Sequence, residues 1–373
     1  MTITDNSAQI SKILIEANSC KTVAIDTEFV WTKTYYPIAG LLQIAFLGEV
    51  YLLDLIIDDF PKPELKTLLE NKQVTKLLHS PDQDTRLLHK LCGGKTFNLF
   101  DTQLAAAFLG YPKQLSLAAT IKEFKDIEIC KSQQVSDWTR RPLTEKQLSY
   151  AAIDVLYLEE ISNTLTERLI ETNRMDWFKE ESVGLHENLA LYEDLKAEDA
   201  YKKIKAYDAL RPRNLLFLKK MAAYRLGIAE RIDKTPNHIL KHDLLLEAGH
   251  QFPDSIEGLK RCGFTTNQLQ RDAKHFIRFA EEARNAPDSE LPIIPKFKRL
   301  SSSEKKAAKI MNAALDKCAE EANLDPGLIA SRAQVRARLL KYLRNDEVHN
   351  FSGWRNELFG DTFKKTLQKI KPA

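Results

Sequence analysis

The stretch VAIDTEFVWTKTYYP, Val23 to Pro37, opens as a buried strand yet carries two acids, Asp26 and Glu28, one residue apart. Side chains on a strand alternate faces, so Asp26 and Glu28 share one face while Val23, Ile25 and Thr27 share the other. A lone D-x-E is common by chance. On its own it fits a solvent-facing strand surface, since acids mostly stay exposed. If that face is covered, two carboxylates on it are costly unless something cancels their charge.

Two more acids change the weighting. In SPDQDTRLLHKL, Ser80 to Leu91, Asp84 lies three, four and seven residues before Leu87, Leu88 and Leu91, on the apolar stripe of a helix. Asp82 falls off that stripe. In SYAAIDVLYLEEI, Ser149 to Ile161, Asp154 follows Ala151 by three residues and precedes Leu158 by four, again on the inward face. Tyr150, four residues before Asp154, projects from the same side. Arg86 and Lys90 point elsewhere, so these stripes carry no basic residue to neutralise the acids. A cation from solvent is the remaining compensation. Oxygen donors suit Mg²⁺ or Mn²⁺. Four inward carboxylates suit two such ions about 4 Å apart, an arrangement that supports in-line attack on phosphodiesters.

The surroundings argue for a mixed sheet covered by helices. KTVAIDTEF, LLQIAFL and EVYLLDLI read as three strands in close succession. PELKTLLEN reads as a helix and VTKLLH as a short strand. The Asp84 helix takes Ser80 as N-cap and Pro81 at its first position. FNLFDTQLAAAFLG reads as a strand entering a helix that Asp101 caps and that stops at Gly110. One long helix, capped by Thr144, runs from there through the Asp154 segment. After about Glu180 the strand signal disappears and helical periodicity takes over. Ala286 to Glu304, rich in Pro and Ser, reads as a linker between two helical blocks. AERIDKTPNHIL (Ala229–Leu240) and AEEANLDPGLIA (Ala319–Ala330) share an order of Ala-Glu, Asp, Pro and aliphatic residues, which suggests a duplication.

At 373 residues, with 43% hydrophobic and 29% charged residues, the chain is a globular protein of two or three domains. The longest apolar stretch, Leu41 to Ile57, is broken by Gln43, Glu49 and Asp54, which argues against a membrane span. The N-terminus lacks a basic-then-apolar leader. The five scattered cysteines fit reduced thiols in a cytoplasm. The net charge of +3 hides an asymmetry. Residues 1–200 have 21 Lys+Arg against 31 Asp+Glu, or −10, and residues 201–373 have 34 against 21, or +13. The basic half suits a polyanionic partner such as nucleic acid, although a solvated helical surface is the ordinary alternative.

AIDTEF, LLHSPDQDTRLL and SYAAIDVLYL resemble, in order and spacing, the three motifs of the DEDD superfamily of 3′-to-5′ exonucleases, in the subclass with tyrosine at the Tyr150 position. DTEFVWTKTYYPIAGLLQIA, FDTQLAAAFLG and SDWTRRPLTEKQLSYAAIDVLYL are similar to the ribonuclease D family over nearly the whole N-terminal half. LRPRNLLFLKKMAAYRLGIAERIDKTPNHILKHDLLLE resembles the helicase-and-RNase-D C-terminal (HRDC) domain, a small nucleic-acid-binding module. The resemblance implies an RNase-H-like α/β exonuclease domain (1–195) followed by two small all-α domains, an HRDC domain (205–288) and a second HRDC-like domain (289–373). It implies that Asp26, Glu28 and Asp154 hold the metal that activates water. Asp26 would bridge to a second metal, on which Asp84 acts partly through water, and Tyr150 would orient the attacking water. It further implies release of nucleoside 5′-monophosphates from RNA 3′ ends, notably tRNA precursors and other small structured RNAs with a single-stranded 3′ end.

Weaker candidates surround this set. Phe29 is placed to pack against the terminal base, Gln43 to hydrogen-bond substrate, and His79 to contact sugar or phosphate, each with a plain structural role as the alternative. Lys131 and Trp138 flank SDW and are candidates for phosphate or base contact. Arg211, Arg213, Lys219, Lys220 and Arg225 are candidate phosphate contacts in the first helical block. Arg332, Arg336, Arg338, Lys341 and Arg344 form the densest basic helix. The expectation is therefore a monomeric, cytoplasmic exoribonuclease using two Mg²⁺ or Mn²⁺ ions, with RNA as partner and no membrane association. The rivals are a DNA exonuclease of the same superfamily and a non-catalytic RNA-binding protein.

Overall fold

The computed structural model describes residues 3–129, 136–186, 192–293, 300–344 and 350–370. Contacts divide the chain into two compact units. The first holds Met1–Val30, Ala39–Tyr192 and Arg299–Ala373, and the second Trp31–Ile38 and Glu193–Lys298.

The first unit is built on a six-stranded mixed sheet, order β1-β4-β3-β2-β5-β6. The strands are β1 Ile3–Thr4, β2 Thr22–Val30, β3 Ile38–Phe46, β4 Glu49–Asp54, β5 Thr75–Leu78 and β6 Leu99–Asp101. β3 and β4 are antiparallel across the Leu47-Gly48 turn, in which both residues have positive φ. The connection between the neighbouring strands β2 and β3 is too short for the crossover a parallel pair needs, so they too run antiparallel. β5 and β6 continue parallel to β2.

Helices cover both faces. On one lie α1 Ser7–Ala17, α2 Lys62–Glu70 and α3 Asp82–Cys92, which bury Ile10, Leu14, Leu65 and Leu88 against Val23, Ile25, Leu42 and Ile44. On the other face, α6 Glu145–Leu156 packs Ala151 and Val155 over the sheet, flanked in the chain by α4 Thr102–Phe108, α5 Leu117–Lys125, α7 Leu158–Glu171 and α8 Met175–His186. Asp101 and Thr144 cap α4 and α6 as expected, Thr144 in a capping box with Gln147. Two local expectations fail. Ser80 is not an N-cap but sits in the left-handed region at φ 57, turning the chain out of β5, and Pro81 takes the cap position. The single long helix through Asp154 is two, broken at Tyr157. The break lets Val155 and Leu158 stay on the sheet beside Ala24 and Leu77 while Ile161, Leu165 and Leu169 turn into a separate core.

That separate core is shared with the C-terminal block, which groups with the first unit. α4 and α7 share one apolar cluster with the C-terminal helices, through Ala105, Phe108, Leu165, Met311, Leu315, Leu328, Trp354 and Phe363. Gly110 marks one close approach, since a Cβ there would lie 2.8 Å from the Asn323 carbonyl oxygen.

The second unit contains α9 Pro212–Arg231, α10 Pro236–Ile239, α11 His242–Gln251, α12 Ile256–Arg261 and α13 Thr266–Asn285 around Leu218, Met221, Ala222, Leu245 and Phe276. The tip between β2 and β3 belongs to it. The Tyr35 hydroxyl donates to Glu230 (2.9 Å), and the backbone N–H groups of Tyr35 and Tyr36 donate to Asp233 (2.9 and 3.2 Å). The C-terminal helices of the first unit are α14 Ser302–Glu321, α15 Pro326–Ile329, α16 Arg332–Leu343, α17 Gly353–Arg355 and α18 Asp361–Lys369. α9–α10 and α14–α15 are each a 20-residue helix followed by a four-residue helix opened by proline. Among the described residues no helix is long and apolar enough to cross a membrane.

Candidate active site

Strand register creates the site. β2 pairs with β5 as far as Ala24 opposite Leu77, and β5 stops at Leu78. Beyond that point β2 runs on through Asp26 and Glu28 with no strand on that side among the described residues. The chain leaving β5 turns at Ser80 into α3, whose first turn carries Asp84 into this opening. Asp154 reaches it from α6, across the sheet from α3.

Carboxylate oxygens of Asp26, Glu28 and Asp154 all lie within 4.8 Å of one another. Asp84 is buried on the other flank, where the Thr27 hydroxyl donates a short hydrogen bond to it. The Tyr150 hydroxyl is hydrogen-bonded to Asp154. Burial and mutual repulsion make ionisation difficult. Burial raises Glu28 to about 9, with Asp154 and Asp84 adding to it. Burial and then Asp84 raise Asp154 to about 7, against the Tyr150 hydrogen bond. Burial raises Asp84 to about 6, while Thr27 opposes it. Asp26 is pushed well above the carboxylate range by burial, then by Asp84, Asp154 and Glu28. Converging hard oxygen donors with this much uncompensated charge fit a divalent cation.

The comparisons with known proteins agree with this geometry. Residues 1–170 match the family model described as 3′-5′ exonuclease, and residues 215–279 match the HRDC domain. Ribonuclease D of Desulfotalea psychrophila is 31% identical over 366 residues, covering 97% of each chain. That of Escherichia coli K12 is 32% identical over 358 residues, covering 93% of each. The chain belongs to the ribonuclease D family. Its activity is that of a 3′-to-5′ exoribonuclease, a phosphodiester hydrolase. Among solved structures, E. coli RNase D, described as an exoribonuclease involved in structured RNA processing, matches with a TM-score of 0.87 at 28% identity, over 99% of each chain. The catalytic core of RRP6 from Trypanosoma brucei shares the fold, with a TM-score of 0.60 at 20% identity over 76% of this chain and 79% of that one.

The five principal residues, Asp26, Glu28, Asp84, Tyr150 and Asp154, belong to one neighbourhood. The weaker candidates separate. Gln43 and Trp138 are both fully buried, so neither reaches substrate. Trp138 is packed under α6, its ring centroid 6.1 Å from that of Tyr150, and Gly40 lies so near it that a Cβ would sit 2.4 Å from the Trp138 carbonyl oxygen. Both ring nitrogens of His79 are engaged, with Thr102 Oγ1 and the Leu115 carbonyl, each at 2.9 Å, which makes it a structural residue. Phe29 is part-buried on the strand face away from Asp26 and Glu28. Lys131 lies outside the described residues.

In the second unit, Arg225 is enclosed and donates to the Leu240 carbonyl at 3.0 Å, burial lowering its guanidinium to about 10. Arg213 caps α13 by donating to the carbonyls of Arg284 and Ala286 (2.8 and 2.7 Å) and pairs with Asp288. Lys220 pairs with Glu282 at 2.7 Å. Arg211 stays exposed and Lys219 half-buried.

Sequence reasoning missed two supporting residues. Thr27 lies on the opposite face of β2 from Asp26 and Glu28, the face where Asp84 arrives. Arg141 grips the buried Asp54 with two hydrogen bonds of 2.7 and 2.6 Å and donates to the carbonyls of Trp138 and Gly40, fastening the segment before α6 to the sheet. A basic residue just before a proline carries no local signal of that role.

Proposed function

We propose that this exoribonuclease removes single nucleotides as nucleoside 5′-monophosphates from the 3′ ends of small structured RNAs, tRNA precursors among them. The observation that carries the reading is the meeting of Asp26, Glu28 and Asp154 within 4.8 Å at the open end of β5, with Asp84 on the other flank. The described role of E. coli RNase D in structured RNA processing supports the substrate class.

Two Mg²⁺ or Mn²⁺ ions held by these acids would activate water and stabilise the leaving 3′ oxygen. Asp26, Glu28 and Asp154 would hold one ion, and Asp84 on the other flank would help Asp26 to hold the other. Tyr150 donates its hydroxyl proton to Asp154, and its oxygen would accept from the attacking water and align it. Thr27 and Tyr150 fix the rotamers of Asp84 and Asp154, so the acids are placed before substrate arrives. The HRDC unit contributes RNA affinity through the exposed Arg211 and the half-buried Lys219, rather than through the enclosed Arg225. The block after residue 299 is a second HRDC-like module, supported by the matching α9–α10 and α14–α15 pattern. The protein acts as a cytoplasmic monomer.

Incubating wild-type protein and Asp26→Asn with a tRNA bearing extra 3′ nucleotides, in Mg²⁺ or Mn²⁺ buffer, tests the assignment. Stepwise shortening with 5′-monophosphate release is expected from the wild type only. Trimming by Asp26→Asn at the wild-type rate overturns the roles.

A further inference from the structure

The layer between the sheet and α6 holds polar atoms that the protein leaves unpaired. Gln43 is 0% exposed, and neither its Oε1 nor its Nε2 has a hydrogen-bond partner among the described residues. Trp138 Nε1 shares that condition. An unmade hydrogen bond in a core costs about 1–3 kcal/mol per group, and an apolar side chain of the same length would avoid it.

The position of Gln43 suggests what it serves. On β3 it shares a face with Leu41 and Ala45. Leu41 packs with Trp138 and Ala151, as does Leu52, the cross-strand neighbour of Gln43 on β4. Ala45 packs in the cluster of Ala24, Val155 and Leu158. Gln43 therefore faces α6 between Ala151 and Val155, the turn that carries Asp154. On its other side lies β2. Ala24 and Ala45 meet in one cluster, and two steps forward along β2 match two steps back along an antiparallel β3. Pairing Ala24 with Ala45 puts Asp26 next to Gln43 on the same face, and that pairing is part of the inference.

Ligand carboxylates are held in turn by outer hydrogen bonds. Thr27 does this for Asp84 and Tyr150 for Asp154. Asp26 accepts a backbone N–H from Thr27 and has further lone pairs to offer. We propose that Gln43 is the positioning residue for Asp26: its amide N–H donates to the Asp26 carboxylate when the site holds a divalent cation, and Trp138 Nε1–H donates to Gln43 Oε1, setting which way the amide faces. The inference rests on Asp26 being a metal ligand.

Gln43→Met keeps the volume, and Gln43→Leu is a second apolar replacement. Mn²⁺ binding without RNA, followed by calorimetry, is measured beside trimming kinetics, with Asp26→Asn in the same series. Both Gln43 variants are expected to melt no lower than wild type in chelator. Their Mn²⁺ affinity falls about 10–100-fold, and the Mn²⁺ needed for half-maximal trimming rises in parallel, while KM for RNA is unchanged. Wild-type Mn²⁺ affinity in a Gln43 variant, whether or not its melting temperature falls, overturns the proposal. If Asp26→Asn loses Mn²⁺ binding while the Gln43 variants do not, only the role of Gln43 fails. If all three bind as wild type, the ligand assignment itself fails.

Discussion

Replacing Asp154 with Asn should make the metal-free protein more stable while destroying its activity. The Asp154 carboxyl is raised from 3.8 to about 7 by burial and by Asp84. A raised carboxyl contributes its stability fully below the unfolded value and loses it as pH rises through the folded one. In chelator, then, wild-type protein loses stability between pH 3.8 and about 7. At about 1.4 kcal/mol per tenfold change in proton affinity, ionised Asp154 costs the fold about 4 kcal/mol at about pH 8. Its acidic neighbours share that cost by taking up protons together, so removing one charge recovers about half, roughly 2 kcal/mol. Asn keeps the shape and an acceptor for Tyr150. For a body of this size the gain corresponds to a melting temperature higher by about 4–8 °C. Scanning calorimetry in EDTA should show this difference at about pH 8 and little of it at about pH 4. Added Mn²⁺ should reverse the order, because only wild type gains from binding. Equal melting of the two proteins at the higher pH, with no Mn²⁺ effect on wild type, would refute the convergence of repelling carboxylates on which the site is built.

Two further outcomes follow from other parts of the structure. Tyr150→Phe should lower kcat about 10²–10⁴-fold with KM for RNA nearly unchanged, because the ring still packs near Trp138 while the hydroxyl proposed to align water is gone; steady-state trimming kinetics check this, and a rate within threefold of wild type would remove Tyr150 from the mechanism. Arg141→Ala should destabilise the first unit by about 3–5 kcal/mol, since it leaves the buried Asp54 without a counter-charge; urea unfolding measures the loss, and a change below about 1 kcal/mol would show the pair to be no more than a surface contact.

What the sequence made legible was whatever local periodicity encodes. The period of two in β2 put Asp26 and Glu28 on one face, and the helical stripes put Asp84, Tyr150 and Asp154 inward, before any tertiary contact was known. The break at Tyr157 escaped because apolar spacing continues through it. The enclosure of Gln43, Trp138 and Arg225 escaped because a polar residue in an apolar run reads equally as core or surface. The pairing of Arg141 with Asp54 and the shared core of α4 with α14 join residues far apart in the chain, and no pattern along the chain announces such partners. The same holds for the tip at Tyr35, whose hydrogen bonds to Glu230 and Asp233 make it part of a unit otherwise built from residues after 193.

The core that Phe108 and Leu165 share with Met311 and Trp354 has a genetic consequence. The exonuclease body is finished only by residues after 300, so a premature stop near residue 300 would abolish the nuclease. The central helical segment, by contrast, is an insertion in that body, yet its unit includes the tip Trp31–Ile38, so an exchange of the segment would have to carry that tip with it.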